Sequence, residues 1–311
     1  MNITTGVEMF ATAQTQSVPV AHIDDAAAVQ QVLAALSDLH GGDYEFHVGQ
    51  WTGATTLRAA SACVSYYFLI ETTEASIQLQ SGDLVRGPEP AGPYRPLDGE
   101  WASVSADHAE ALWPGDTVTV DGRQPAPIMV TGHARYFQVT VAATDYRAPR
   151  LAMLRHLTDF PGGCAAYPGA FRREAIPPQR PAKEAPDPRG ANRVNQHTLD
   201  MRMDRTPTPI RHHHGAVAVG DGQFVNHSET AIVLPRAVYG LPEVDRPDEG
   251  HVLIYNRPAA DANDTTVIPV RPGSIVVTPA TLDHAAGHCF ENCFAMLIAI
   301  PGFVSPYHFI G

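Results

Sequence analysis

Residues 44–146 consist of short β-forming runs broken by turn residues, and this texture limits the possible folds more than any other feature of the chain. The runs are SYYFLIE (65–71), ASIQL (75–79), DTVTV (116–120), PIMVTG (127–132) and YFQVTVAA (136–143). Many short strands with Gly and Pro between them predict a sandwich or barrel. After Asn192 the same texture returns in VNQHTLDMRM (194–203), FVNHSETAIVL (224–234), HVLIYN (251–256), TTVIPV (265–270), SIVVT (274–278) and FAMLIAI (294–300). The chain therefore reads as two similar β domains in tandem, an arrangement that suggests duplication.

Two stretches break the pattern. Residues 24–40 predict a helix capped by Asp24 or Asp25, with Val29, Val32, Leu33 and Leu36 recurring at helical spacing and Gly41-Gly42 ending it. The APRLAMLRHLT stretch (148–158) reads as a second, short helix. Beyond it Pro177, Pro178, Pro181, Pro186 and Pro188 exclude both helix and central strand. Residues 165–190 are thus expected to form an extended connection. The division that follows is 1–147 for a first lobe with a leading helix, 148–191 for a helix and Pro-rich linker, and 192–311 for a second lobe.

The formal net charge of -12 repels phosphate backbones and anionic membranes, so neither nucleic acid nor a membrane is an expected partner. The opening MNITTGVEMFATAQTQSVPV has neither the basic nor the apolar region of a signal peptide, and no run approaches the ~18 apolar residues of a membrane span. The expected location is the cytoplasm. Cys63, Cys164, Cys289 and Cys293 contain no CxxC pair and read as reduced thiols.

Seven of the 15 histidines fall between positions 212 and 288: His212, His213, His214, His227, His251, His284 and His288. On a strand His212 and His214 share a face and His213 takes the other; His227 and Glu229 share a face for the same reason. Imidazoles and a carboxylate converging with open positions suit Fe(II), and also Mn, Zn, Ni or Cu. Alternatives remain for each group. HHH also fits a solvated surface run, and Glu229 can pair with Arg205, Arg211 or Arg236 instead of a metal.

The stretch PGSIVVTPATLDHAAGH (272–288) joins a Pro-Gly turn, a β run, Pro279 and then His284. It resembles the second motif of the cupin superfamily, and His212-x-His214 resembles the first, with Glu229 before TAIVLP as its carboxylate. The resemblance covers about 120 residues (192–311). It implies two tandem double-stranded β-helix (jelly-roll) barrels with a few short helices, and the metal ligands His212, His214, Glu229 and His284. The chain departs from the family pattern in one respect: fourteen residues (215–228) separate the HxH from Glu229, where three or four are usual. Either GAVAVGDGQFVN is an inserted loop, or His227, Glu229 and His284 form the ligand set. WPGDTVTV (113–120) echoes the Pro-Gly-Asp motif without a following His at the matching distance, which implies a degenerate, metal-free first lobe.

The resemblance implies a metalloenzyme of the non-heme Fe(II) oxygenase type acting on a small organic molecule. His227 and His288 are candidates to move a proton, and Tyr239 is a candidate to line the cavity. A non-redox Zn or Mn isomerase, lyase or decarboxylase is the alternative, and a non-catalytic small-molecule-binding module is the third. No nucleophile elbow, P-loop or GxGxxG appears, so nicotinamide, flavin and pyridoxal phosphate are not expected cofactors. A homodimer is expected from the edge pairing common in such barrels.

Overall fold

Asp25 caps the α-helix Ala26–His40, its carboxylate accepting from the backbone N–H of Ala27 at 3.1 Å and of Ala28 at 3.0 Å. The helix buries Val29, Val32, Leu33 and Leu36, the stripe expected from the sequence. It is the one α-helix among the described residues, and the all-β expectation is otherwise borne out. No helix among them is long and apolar enough to cross a membrane. The computed structural model describes residues 18–87, 93–96, 101–124, 126–157, 160–161, 171–177, 193–199, 212–214, 217–218, 224–225, 228–239, 250–255, 265–279, 283–286, 293–301 and 307–309.

The N-terminal half is a ten-stranded sheet organised around two long strands, Cys63–Leu79 and Ile128–Ala142, which pair antiparallel. The sequence divides each of them in two, but neither is interrupted. Glu74 takes φ 50° and Gly132 φ 75°, and the ladder shifts register between Thr131 and His133. A Cβ on Gly132 would collide with the Glu74 carbonyl, so glycine lets both strands bend at one level while pairing continues.

SYYFLI is buried on both faces. Tyr66, Phe68 and Ile70 enter one core, whereas Tyr67 and Leu69 enter another with Trp51, Val118 and Val130. The second core draws only on the N-terminal half.

The C-terminal half contributes two larger sheets. One has the strand order Val20–His22, Ser274–Pro279, Ser228–Pro235, Cys293–Ile300, Asn195–Leu199 and Glu174–Ile176. The other has the order Thr265–Val270, Gly250–Tyr255, Asp283–Ala286, His212–His214 and Tyr307–Phe309. Val20–His22 precedes the helix yet pairs with Ser274–Pro279, so the strand before the helix is stitched into the C-terminal sheet.

Of the stretch 148–158, the described residues 148–157 do not form the expected helix. Leu151, Ala152, Met153 and Leu154 are all buried, and four consecutive buried residues do not fit a helix lying on a surface. Leu151–Ala152 instead pairs with Thr117–Asp121 and Leu84–Arg86, and Leu154–His156 forms a 3₁₀ turn. Within the expected connection of residues 165–190, ahead of Pro177, Phe171–Arg172 and Glu174–Ile176 are strands.

The two halves share one core. Phe68, Phe137 and Val139 from the first half pack in one cluster with Ile232, Ile275, Phe294, Met296 and Ile298 from the second and with the buried stripe of the helix. Polar contacts cross at the same level. Gln196 Nε2 donates to the Gly115 carbonyl at 3.0 Å, and Thr117 donates to Gln196 Oε1.

His40, at the end of the helix, lies with Nε2 2.6 Å from Ser228 Oγ in the C-terminal sheet. Burial pushes the His40 imidazole down to about 4. Between that value and the ordinary 6.5 the unfolded chain binds the extra proton and the folded chain does not, so stability falls as pH drops through this window. The loss attributable to His40 is expected to approach about 3 kcal/mol by the low end of the window. Urea unfolding at pH 7 and pH 4 of wild type and His40→Gln checks it: the variant should lose that part of the slope, and an equal slope would contradict it.

Candidate metal centre

The HHH stretch is the strand His212–His214, paired on both sides. His212 is the direct antiparallel partner of His284, seventy-two residues later in the chain. Directly opposed residues of such a pair lie on one face with Cβ atoms about 4.5–5.5 Å apart. Thr266, Ile254, His284, His212 and Phe309 form one row across all five strands. His214 is two residues along from His212 and belongs to the same face by the pleat. His213 and its partner His308 belong to the opposite face.

Glu229 lies on the other C-terminal sheet, between Thr278 and Ala299. The faces of this sheet are set by alternation. Ile232, Leu234, Ile275, Val277, Phe294 and Met296 enter the core shared with the N-terminal half. Half-buried Glu229 belongs to the opposite face, with Val233, Val276 and Ala295. Those three apolar residues are buried but belong to neither core cluster, so a further layer covers that face.

Asn195, the partner of Ala299, and His197, the partner of Leu297, occupy the same face as Glu229. His197 Nδ1 sits 2.8 Å from Asn195 Oδ1, and because an amide oxygen only accepts, the ring donates from Nδ1. His197 is not among the site candidates read from the sequence. The N-x-H alternation that sets it on this face was the available signal.

The Pro272-Gly273 turn fixes the approach to His284. Gly273 takes φ 88°, and a Cβ there would stand 2.9 Å from His22 Nε2. His22 Nε2 lies 3.0 Å from the Pro272 carbonyl, so the N-terminal strand locks the turn in place. Ser274–Pro279 then runs in the sheet of Glu229, and Asp283–Ala286 carries His284 into the sheet of His212.

The long spacing between the HxH and Glu229 has a structural explanation. Val217–Ala218 pairs with Phe224–Val225, so the extra residues include a small hairpin. Tyr239 ends the 3₁₀ turn Arg236–Tyr239, which follows directly on the Glu229 strand. His227 and His288 lie outside the described residues.

The structure therefore brings His212 and His284 together, with His214 on their face. It sets Glu229 on a different sheet, joined to theirs through the Ser274–Pro279 strand and the segment that follows. Among the described residues no group of three or more His, Cys, Asp or Glu side chains stands at metal-binding distances.

No family model matches the chain, and no curated protein matches it. Solved structures do resemble it. The chain is similar to an oxalate decarboxylase–formate complex from Lactobacillus farciminis, at 9% identity, over 85% of this chain and 79% of that one, with a TM-score of 0.45. It is similar to a glyoxylate-induced protein from Pseudomonas aeruginosa at 10% identity, over 83% and 74%, with a TM-score of 0.45. It is also similar to vicilin from Corylus avellana at 10% identity, over 85% and 77%, with a TM-score of 0.41.

Proposed function

We propose that the C-terminal half is a cupin-type barrel holding one divalent metal ion on His212, His214, His284 and Glu229, and that it acts as a non-heme Fe(II) oxygenase on a small organic molecule. The observation that carries this reading is the register pairing of His212 with His284. Two imidazoles opposed across a ladder, a third two residues along and a carboxylate from a second sheet are donor types that fit Fe(II), and equally Mn or Zn.

Iron(II) held there would supply the electrons for reaction of O₂ with a bound organic molecule. The chain's own contribution is positioning and water exclusion. Thr278 and Ala299, the two cross-strand partners of Glu229, are both buried and limit the access of water along the sheet on either side of it. His227 and His288 are the groups assigned to hold or move a proton near the substrate, and Tyr239 is assigned to the cavity wall.

Nitric oxide as a stand-in for O₂ tests the reading without knowledge of the substrate. Anaerobic Fe(II)-loaded protein is expected to give the S = 3/2 spin-resonance signal of an iron–nitrosyl complex, lost in His284→Ala. Iron bound without that signal would mean a closed, non-oxygenase site. Turnover of a carboxylic acid by the Mn or Zn form without O₂ would replace the oxygenase with the decarboxylase or lyase reading.

A further inference from the structure

A second group of donors meets in the N-terminal half, far in sequence from the histidine-rich stretches. His108 and Glu110 alternate on the strand His108–Ala111, and both are half-buried. Tyr94, on the strand Tyr94–Pro96, is buried and places its ring 5.4 Å from that of His108. Its hydroxyl lies 3.1 Å from His108 Nε2 and donates to Glu110 Oε2. His108 Nε2 and Glu110 Oε2 are 3.7 Å apart.

The protons available here do not match the lone pairs. His108 Nδ1 is 3.1 Å from the Ala106 carbonyl, which only accepts, so the ring proton sits on Nδ1 and Nε2 presents a lone pair. Only the Tyr94 hydroxyl proton then lies among three oxygen and nitrogen donors. It can serve Glu110 or His108, but not both. A backbone carbonyl that fixes the tautomer in this way is the usual support of a metal-ligating histidine.

Arg155 is shared between two carboxylates, at 3.1 Å from Glu110 Oε1 and 2.6 Å from Asp116 Oδ2, so Glu110 does not have the guanidinium to itself and its Oε2 faces Tyr94 and His108. Donors bound to a first-row ion at ~2.0–2.2 Å lie about 3 Å apart; the Tyr94–His108 spacing of 3.1 Å matches that, and the close Tyr94–Glu110 contact must open once the hydroxyl proton is lost.

We propose that Tyr94 Oη, His108 Nε2 and Glu110 Oε2 form a second divalent-cation site, in the N-terminal half and independent of the C-terminal centre. One nitrogen and two oxygen donors suit Zn²⁺ or a similar first-row ion. Binding replaces the phenolic O–H bond with an oxygen–metal bond and releases that proton to solvent. No short motif links His108 to Tyr94, fourteen residues earlier; the fold sets one against the other.

The test is a Zn²⁺ titration of the full chain carrying His212→Ala, His214→Ala and His284→Ala, which removes the three imidazoles assigned to the C-terminal centre. About one Zn²⁺ per chain is expected, with one proton released and the absorption change of a phenolate. Adding Tyr94→Phe should abolish the phenolate signal and weaken binding at least about tenfold. His108→Gln should weaken it similarly while circular dichroism stays unchanged. No Zn²⁺ bound, binding without phenolate absorption, or equal affinity after Tyr94→Phe would each overturn the proposal.

Discussion

Replacing Phe294 with Ala is expected to cost about 3–5 kcal/mol and to destabilise the whole chain in a single transition. The ring is fully buried in the core shared by the two halves, packed in one cluster with Phe68, Phe137 and the helix residues Val32 and Leu36. Truncation leaves a cavity against partners that belong to both halves, and neither half can close it alone. The cost is a large fraction of a typical domain's stability of about 5–15 kcal/mol. Calorimetry and urea unfolding check the result. Two separate transitions in the wild type, with one unaffected by Phe294→Ala, would show that the halves fold independently.

His284→Ala is expected to lower Fe(II) affinity by at least about a hundredfold, since even partners one shell removed from a metal are worth ten- to a hundredfold. His213→Ala is the matched control. Both positions lie in the same sheet, but the pleat sets His213 on the face opposite His212 and His284. Its affinity should stay within about threefold of the wild type, the scatter of single-interaction estimates. Equal losses in the two variants would show a loose polyhistidine surface and not a site with a face. Isothermal titration under anaerobic conditions makes the comparison.

Elements governed by short-range physics were legible in the sequence. The helix and its buried stripe of Val29, Val32, Leu33 and Leu36 follow from periodicity and one capping aspartate. The β texture of both halves follows from the runs and their turns. Strand continuity did not follow, because Gly132 and the residues around Glu74 look like chain breaks and act as bends in a ladder that keeps pairing. Residues 148–158 misled for another reason. Its apolar residues look like a helix stripe, but Leu151–Leu154 are buried in succession, and only the sheet packing distinguishes the two.

At the candidate site, alternation along a strand was enough to set His212 and His214 on one face. The pairing of His212 with His284 is a long-range register that no local pattern encodes. The hairpin of Val217–Ala218 with Phe224–Val225 accounts for the spacing that departed from the cupin motif. Asn195 and His197 were missed as neighbours of Glu229 because their shared face depends on the pairing of Asn195–Leu199 with Cys293–Ile300.

The most direct measurement is a double-mutant cycle on Fe(II) affinity with His212→Ala and His284→Ala, in a Tyr94→Phe background so that the N-terminal cluster does not contribute. If both imidazoles hold one ion, each single substitution abolishes tight binding and the double substitution adds little more, a strongly non-additive cycle. Losses that simply add, or a single variant that retains wild-type affinity, would contradict a shared ion between these two strands.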